Sequence, residues 1–509
     1  MDTIVLNAEN RELDTWRQIY SKPCKVTLSD AARDAIGRCQ EAVAADARKG
    51  VPIYGVTTGF GSLAGQAISE DKLTQLQHNL IFSTTVGVGE PLPDPVVRLC
   101  LALKVSTLAR GYSGVRVEIA EIFLALLSND MLPVVPSQGS VGASGDLAPL
   151  GHMSAILIGV GHVRHNGKVI SAKEALGRIG YSPLELRAKE GLALVNGTQV
   201  STALAMAALF EAERAMRSAI VIGALATEAV LGKSDSFDER IHAVRRQTGQ
   251  IDVAKAYRAL LQDSGFRHAS QEIERQQDPY CIRCQPQIIG AALDLLRHCT
   301  GVLTREGDAV TDNPLYFPEE GEFLSGGNFH AEPIAFSADI MALAISEIAT
   351  ISERRLSMMV DSNLSGLPPF LTSEPGLNSG FMCAQISAAA LVADTRQRAH
   401  PASVDNVPTV ANMEDHVSMA THGARRLLGM IENLDAILAI ELLAAVEGCD
   451  HRGLEHGQRL GSLHAMVRKD VSSLALDQWL EPPIAASLSL VRNGSVAHLL
   501  EEADLAVLS

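Results

Sequence analysis

The chain has 509 residues, of which 47% are hydrophobic, 20% charged and only 4% aromatic, and its formal charge is -16. That length is ample for large cores, and the composition is that of a soluble globular protein rich in Ala and Leu. The acidic balance and the lack of any basic run exclude a nucleic-acid footprint, and eight scattered cysteines do not make a disulfide framework.

The first residues, Met1-Asp2-Thr3-Ile4-Val5, have no cationic segment followed by an apolar core. No signal peptide is expected there, and a cytoplasmic location follows as the expectation. Apolar stretches are interrupted by charged residues before they reach bilayer length, so no membrane partner is expected. Val51 to Gly65 and Met131 to Gly145 are dense in Gly, Thr, Ser and Pro and read as ordered loops. Between them, Leu73 to Phe82 and Asp94 to Leu108 have helical apolar spacing. Beyond residue 200 the pattern becomes long helices: Ser201 to Leu231, Phe336 to Val360, Phe381 to Arg398 and Ala424 to Val446. Several carry few charges, which places them deep in a bundle and suggests that copies of the chain pack together. The expected fold is mainly α. A mixed region over 1–200 leads into a long-helix bundle over 201–509, the whole forming a single unit over 1–509.

Three motifs invite functional readings that their context does not support. Gly59-Phe60-Gly61-Ser62-Leu63-Ala64-Gly65 resembles a dinucleotide fingerprint, but its third glycine comes one position late and no βαβ rhythm surrounds it. Gly142-Ala143-Ser144-Gly145 resembles a nucleophile elbow, yet Asp146 stands where the last glycine belongs. Cys281 and Cys284 have the spacing of half a zinc site, but no second pair follows, and no metal is expected.

Ala143-Ser144-Gly145 has a further reading. The Gly amide has no side chain to obstruct its approach to the carbonyl two residues back. With a small Ala and a dehydratable Ser, the tripeptide holds what is needed to close a five-membered ring. Alone, it reads first as a plain turn, since the tripeptide is common. Its surroundings decide between the two. The segment Gly139 to Leu150 resembles the signature of the aromatic amino acid ammonia-lyases. The resemblance extends over most of the chain, through Tyr54 to Gly61, Asn196-Gly197-Thr198-Gln199, Gln277 to Tyr280, Arg283 to Gln287, Asp312 to Leu315, Gly326 to Pro333 and Glu414 to Met419. The last two blocks resemble the histidine branch.

That resemblance implies a helical homotetramer of the ammonia-lyase/fumarase-like type, with active sites shared between subunits. It also implies a 4-methylideneimidazole-5-one formed from Ala143, Ser144 and Gly145, with no external cofactor, and a small amino acid as substrate. The chemistry needs such a group, because the substrate's β-proton is barely acidic and ammonia is a poor leaving group. Tyr54 matches the family's proposed base and, with Gly55, Gly59 and Gly61 around it, sits on a lid loop. A free tyrosine titrates near pH ~10, so the base role calls for positive charge or donors at its oxygen. Arg283 has the planar fork suited to a carboxylate. Asn196 can donate to that carboxylate or to the ring's carbonyl. Gln277, Tyr280 and Phe329 match pocket residues. Glu414 suits an imidazole, which can donate an N–H or carry charge.

Two departures bear on the substrate. Histidine ammonia-lyases have a Ser-His pair before the Val-Gly-Val-Gly segment, whereas Ser83-Thr84 precedes Thr85 to Gly89 here, so Thr84 occupies the selectivity position. The family's Glu-Asn-Lys stretch reads Asp394-Thr395-Arg396. L-Histidine ammonia-lyase giving trans-urocanate is the leading reading. A histidine 2,3-aminomutase, or a lyase for a modified histidine or another aromatic amino acid, is the second. A catalytically silent paralogue is the third, and the complete set of Tyr54, the tripeptide, Asn196 and Arg283 argues against it.

Overall fold

The computed structural model describes residues 3–7, 12–49, 51–500, 505 and 507. It is 61% helical, with little sheet, which makes the protein mainly α as expected. The chain divides into two compact units. Unit 1 comprises Met1–Ala207, Gly301–Asp339 and Pro401–Arg425, and unit 2 comprises Ala208–Thr300, Ile340–His400 and Arg426–Ser509. Four of the division points fall inside long helices.

Among the described residues the strands all lie in unit 1, and they are short. Thr3–Leu6 pairs in parallel with Lys25–Leu28, and Val88–Pro91 runs antiparallel to Pro136–Gln138. His162–His165 pairs with both Leu132–Pro133 and Lys168–Ser171, and Leu315–Phe317 with Glu322–Leu324. The segment Met131 to Gly145 therefore holds two strands where a loop was expected. At two and three residues they are too short to show a period of two.

Helices form where the apolar spacing predicts them. In unit 1, α1 spans Leu73–Thr84 and α2 spans Asp94–Ala109, which starts with Pro95 in its first turn and is buried from Val96 to Ala109. Helix α3 covers Leu147–Ala155 and the short α4 covers Glu190–Val195. The long helices are α5 (Gln199–Ala229), α6 (Gln285–Gly307), α7 (Glu332–Val360), α8 (Met382–Arg398) and α9 (Ala420–Arg452). Among the described residues, α7 alone is long and apolar enough to cross a membrane, but 72% of its most apolar stretch is buried within the protein. That is how a core helix behaves.

Unit 2 is organised around a buried charge cluster. Arg355 on α7 and Glu441 on α9 are both fully buried and paired. Arg355 Nη2 donates to Glu441 at 2.9 Å and Nη1 to Gln285 at 3.1 Å, and Tyr257 donates to the same Gln285 oxygen at 2.7 Å. The Asp394-Thr395-Arg396 departure also belongs to unit 2 and serves helix packing. Asn433 on α9 donates to Asp394 at 2.7 Å, and Arg396 reaches Thr350 on α7 at 3.3 Å.

Candidate active site

The turn carrying Ala143-Ser144-Gly145 is held in unit 1 by three distant segments. The Asp146 amide donates to the Gly197 carbonyl at 2.8 Å, and the Met419 amide donates to Val141 at 2.8 Å. Ser418 Oγ donates to the Gly142 carbonyl at 2.7 Å, and the Ala331 amide donates to it at 3.3 Å. Gly142 and Gly145 adopt φ of 66° and 77°, where side chains are disfavoured. A Cβ on Gly145 would also lie 2.2 Å from the Gly197 oxygen, so that position admits no side chain.

Asp146 anchors the turn from below. Its carboxylate is fully buried and caps α5, accepting from the Val200 amide at 2.9 Å, the Ser201 amide at 2.7 Å and the Ser201 hydroxyl at 2.9 Å. Its other oxygen accepts from Ser140 at 3.1 Å and Thr421 at 2.5 Å. Burial pushes the Asp146 pKa up, against these donors from Thr421, Ser201 and Ser140. Asp146→Asn either sets an amide N–H against the Val200 and Ser201 amides or forces the Ser140 and Thr421 hydroxyls to turn and accept. We expect it to lower stability by about 1–3 kcal/mol. A denaturant unfolding midpoint equal to wild type would contradict this.

Ser144 and Ala143 face a cavity of about 830 Å³, a volume suited to a small-molecule ligand. Tyr54, Phe329 and Glu414 line the same cavity. The Gly61 amide donates to the Tyr54 oxygen at 3.1 Å. The Tyr54 loop is itself tied down, with Gln77 donating to the Gly55 carbonyl at 3.2 Å and Gly59 to Gln66 at 3.0 Å. Glu414 accepts hydrogen bonds from the Ser144 and Thr409 hydroxyls, one on each carboxylate oxygen. Asn196, where the chain leaves α4, is buried and donates from Nδ2 to the Ser144 carbonyl at 3.3 Å. Its Oδ1 has no hydrogen-bond partner among the described residues.

The remaining candidates lie elsewhere. Thr84, at the end of α1, turns its hydroxyl back onto the Leu80 carbonyl at 2.9 Å and is not among the cavity's lining residues. Gln277, Tyr280 and Arg283 belong to unit 2 and are also not among them. All three are exposed or half-buried, and the Arg283 guanidinium lies 4.7 Å from the Tyr280 ring centroid and donates to the Asp278 carbonyl at 3.0 Å.

Sequence reasoning missed a further cluster on the cavity wall. His330 and His416 stack with ring centroids 5.7 Å apart, and Glu332 lies 3.7 Å from one and 3.8 Å from the other. The potential ligand atoms of these three residues lie within 4.8 Å of one another, a spacing compatible with a metal ion. A second such set, Glu228, Cys449 and His456, is in unit 2. Both motif blocks contributing to the cavity cluster were visible, but an 86-residue separation hides their pairing. Cys281 and Cys284 belong to neither set, and Cys281 instead contacts the Met358 sulfur at 4.0 Å.

A long-helix fold with this tripeptide turn on the wall of its cavity defines a carbon–nitrogen lyase or aminomutase. The chain belongs to the aromatic amino acid lyase family, whose model matches residues 12–469. It is similar to histidine ammonia-lyase from Trypanosoma cruzi, with 36% identity, a TM-score of 0.91, and coverage of 100% of this chain and 98% of that one. Tyrosine aminomutase from Streptomyces globisporus matches at 33% identity and a TM-score of 0.91 over 98% of both chains. Ergothionase from Treponema denticola matches at 25% identity and a TM-score of 0.92, over 97% of this chain and 99% of that one.

Proposed function

We propose that the protein is an ammonia-lyase that converts L-histidine to trans-urocanate and ammonia, using a 4-methylideneimidazole-5-one formed from Ala143, Ser144 and Gly145. The carrying observation is the placement of Ser144, which faces the cavity with its carbonyl under the Asn196 amide and its side chain against Glu414. The turn suits ring closure: its glycine has no side chain to obstruct the amide, and the carbonyl that becomes part of the ring already has a donor. Such a ring would supply an electrophile for the substrate amine and so ease loss of ammonia.

The chain's own residues do the rest. Tyr54 takes the β-proton from within the cavity, and Phe329 packs against the substrate. Glu414 holds the imidazole. Dehydration of Ser144 removes the hydroxyl that occupies one Glu414 oxygen, so forming the ring frees that oxygen for a substrate N–H. Arg283, with Tyr280 and Gln277, binds the substrate carboxylate in the cavity of another copy of the chain, which makes the homotetramer the working form.

Incubation with L-histidine tests the proposal: urocanate should appear by its ultraviolet absorption. Recovery of β-histidine by chromatography, without urocanate, would establish the mutase reading instead. That second reading rests on Thr84. A threonine has no imidazole to offer the substrate, and its hydroxyl is spent on its own helix. The kinship with an aminomutase and an ergothionase is compatible with it. Thr84→His supplies the imidazole of the histidine-branch signature, and histidine lyase activity is expected to rise about fivefold, roughly one hydrogen bond's worth. A large loss would show that Thr84 is already matched to a different substrate.

A further inference from the structure

Helix α2 carries one lysine in a run that is otherwise apolar or neutral, and Lys104 is fully buried there. An ammonium in such a place must find acceptors. Lys104 Nζ donates to the Ala193 carbonyl at 2.9 Å and to the Asn196 carbonyl at 2.7 Å. Both carbonyls belong to the C-terminal end of α4, where main-chain oxygens lack helical partners and a cation is favoured. Asn196 is also the residue whose side-chain amide meets the Ser144 carbonyl. One side chain therefore grips the main chain of the residue that touches the tripeptide.

We propose that Lys104 is a positioning residue for the reaction: by holding the Asn196 main-chain carbonyl, it keeps the Asn196 amide on the Ser144 carbonyl oxygen. The inference rests on the reading of Ala143-Ser144-Gly145 as the source of the electrophile. When a nucleophile adds to the ring's methylidene, negative charge moves onto that oxygen, and a donor fixed there beforehand lowers the barrier. The charges facing Lys104 are Asp312, Lys189 and Asp146. Lys189 and Asp312 are themselves paired at 2.7 Å, and Asp146 is taken up by the α5 cap and its hydroxyl donors. Burial pushes the Lys104 pKa down to about 7, with Asp312 pulling it up, Lys189 pushing it down and Asp146 pulling it up. A neutral amine still has two N–H groups for two carbonyls, so the grip survives loss of the charge.

The test uses the full-length protein and three substitutions. Lys104→Met removes both donors while keeping the length of the side chain. Its intact mass should remain two waters below the sequence mass, and its kcat should fall on the order of 10²-fold, the effect of a small misplacement of a catalytic group. KM should be unchanged, because Asn196 here acts on the ring and not on the substrate. Trapping by cyanide, read as a mass gain of one HCN, should slow in parallel, and Lys104→Arg, which keeps N–H donors, should recover much of both rates. In an Asn196→Ala background, Lys104→Met should cost nothing further. If Lys104→Met does not fold, Lys104→Leu takes its place as the donor-free variant against Lys104→Arg. Wild-type kcat and trapping rates in the donor-free variant would overturn the inference. So would a full additional loss in the Asn196→Ala background. A wild-type protein at its unmodified mass would instead sink the cofactor reading.

Discussion

Ser144→Ala is expected to abolish turnover and to leave the chain no more than one water below its sequence mass, whereas the wild-type protein should be lighter by two waters. One water comes from attack of the Gly145 amide on the Ala143 carbonyl and the other from the Ser144 side chain. Alanine has no hydroxyl to lose, so no methylidene can form, and the variant keeps its cavity, its Glu414 and its Tyr54 without an electrophile. The substitution should be mild for the fold, because the turn is held by main-chain groups of Gly142, Val141 and Asp146 and not by the Ser144 side chain. Electrospray mass and a urocanate assay on the same preparation decide the matter. Substantial residual turnover, or a wild-type mass that equals the sequence mass, refutes the role given to Ser144.

The second large effect lies in unit 2. Glu441→Gln should destabilise the protein by about 3–5 kcal/mol, because it leaves a buried guanidinium without its counter-charge. The Arg355 contacts to Gln285 at 3.1 Å and to the Ala219 carbonyl at 3.5 Å remain, but neither carries charge. Ser352, which donates to the same carboxylate, loses a strong acceptor as well. The paired replacement Arg355→Met with Glu441→Leu removes both charges at once and should recover most of the loss, since desolvating the pair offsets much of its attraction. Denaturant unfolding of both variants checks this. A single variant as stable as wild type would show that water or a rearranged neighbour neutralises Arg355.

Four of the five long helices were legible because their apolar periodicity persists, whereas α6 was not among the helices read from the sequence. The reading Asp94 to Leu108 is one residue short of the observed end, and Phe381 to Arg398 starts one residue early. The ends of α9 escaped it. Thr421 and His422 open that helix, and Asp450, His451 and Arg452 close it, so its hydrogen bonding continues where apolar spacing has stopped. The site was legible as separate blocks, each with a residue type suited to its chemistry. What the chain alone does not show is which atoms face one another. The Asn196 amide on Ser144, the Glu414 carboxylate on the Ser144 hydroxyl and the His330–His416 stack each join residues at least 52 apart. The Thr84 hydroxyl shows the same limit locally: residue type suggested a polar contact for substrate, and the helix claims it first.

With the ring formed as proposed, the ties that hold the tripeptide turn would also impose an order of events on the polypeptide. Ser144 is made long before Gly197, Ala331 and Ser418, the partners that shape its loop. A nascent chain that stops short of Ser418 carries the ingredients of the ring without the mould. Maturation would thus be the last act of folding, and the reactive alkene would first exist inside a finished cavity. Unfolded and half-made chains would stay chemically inert toward cellular amines and thiols.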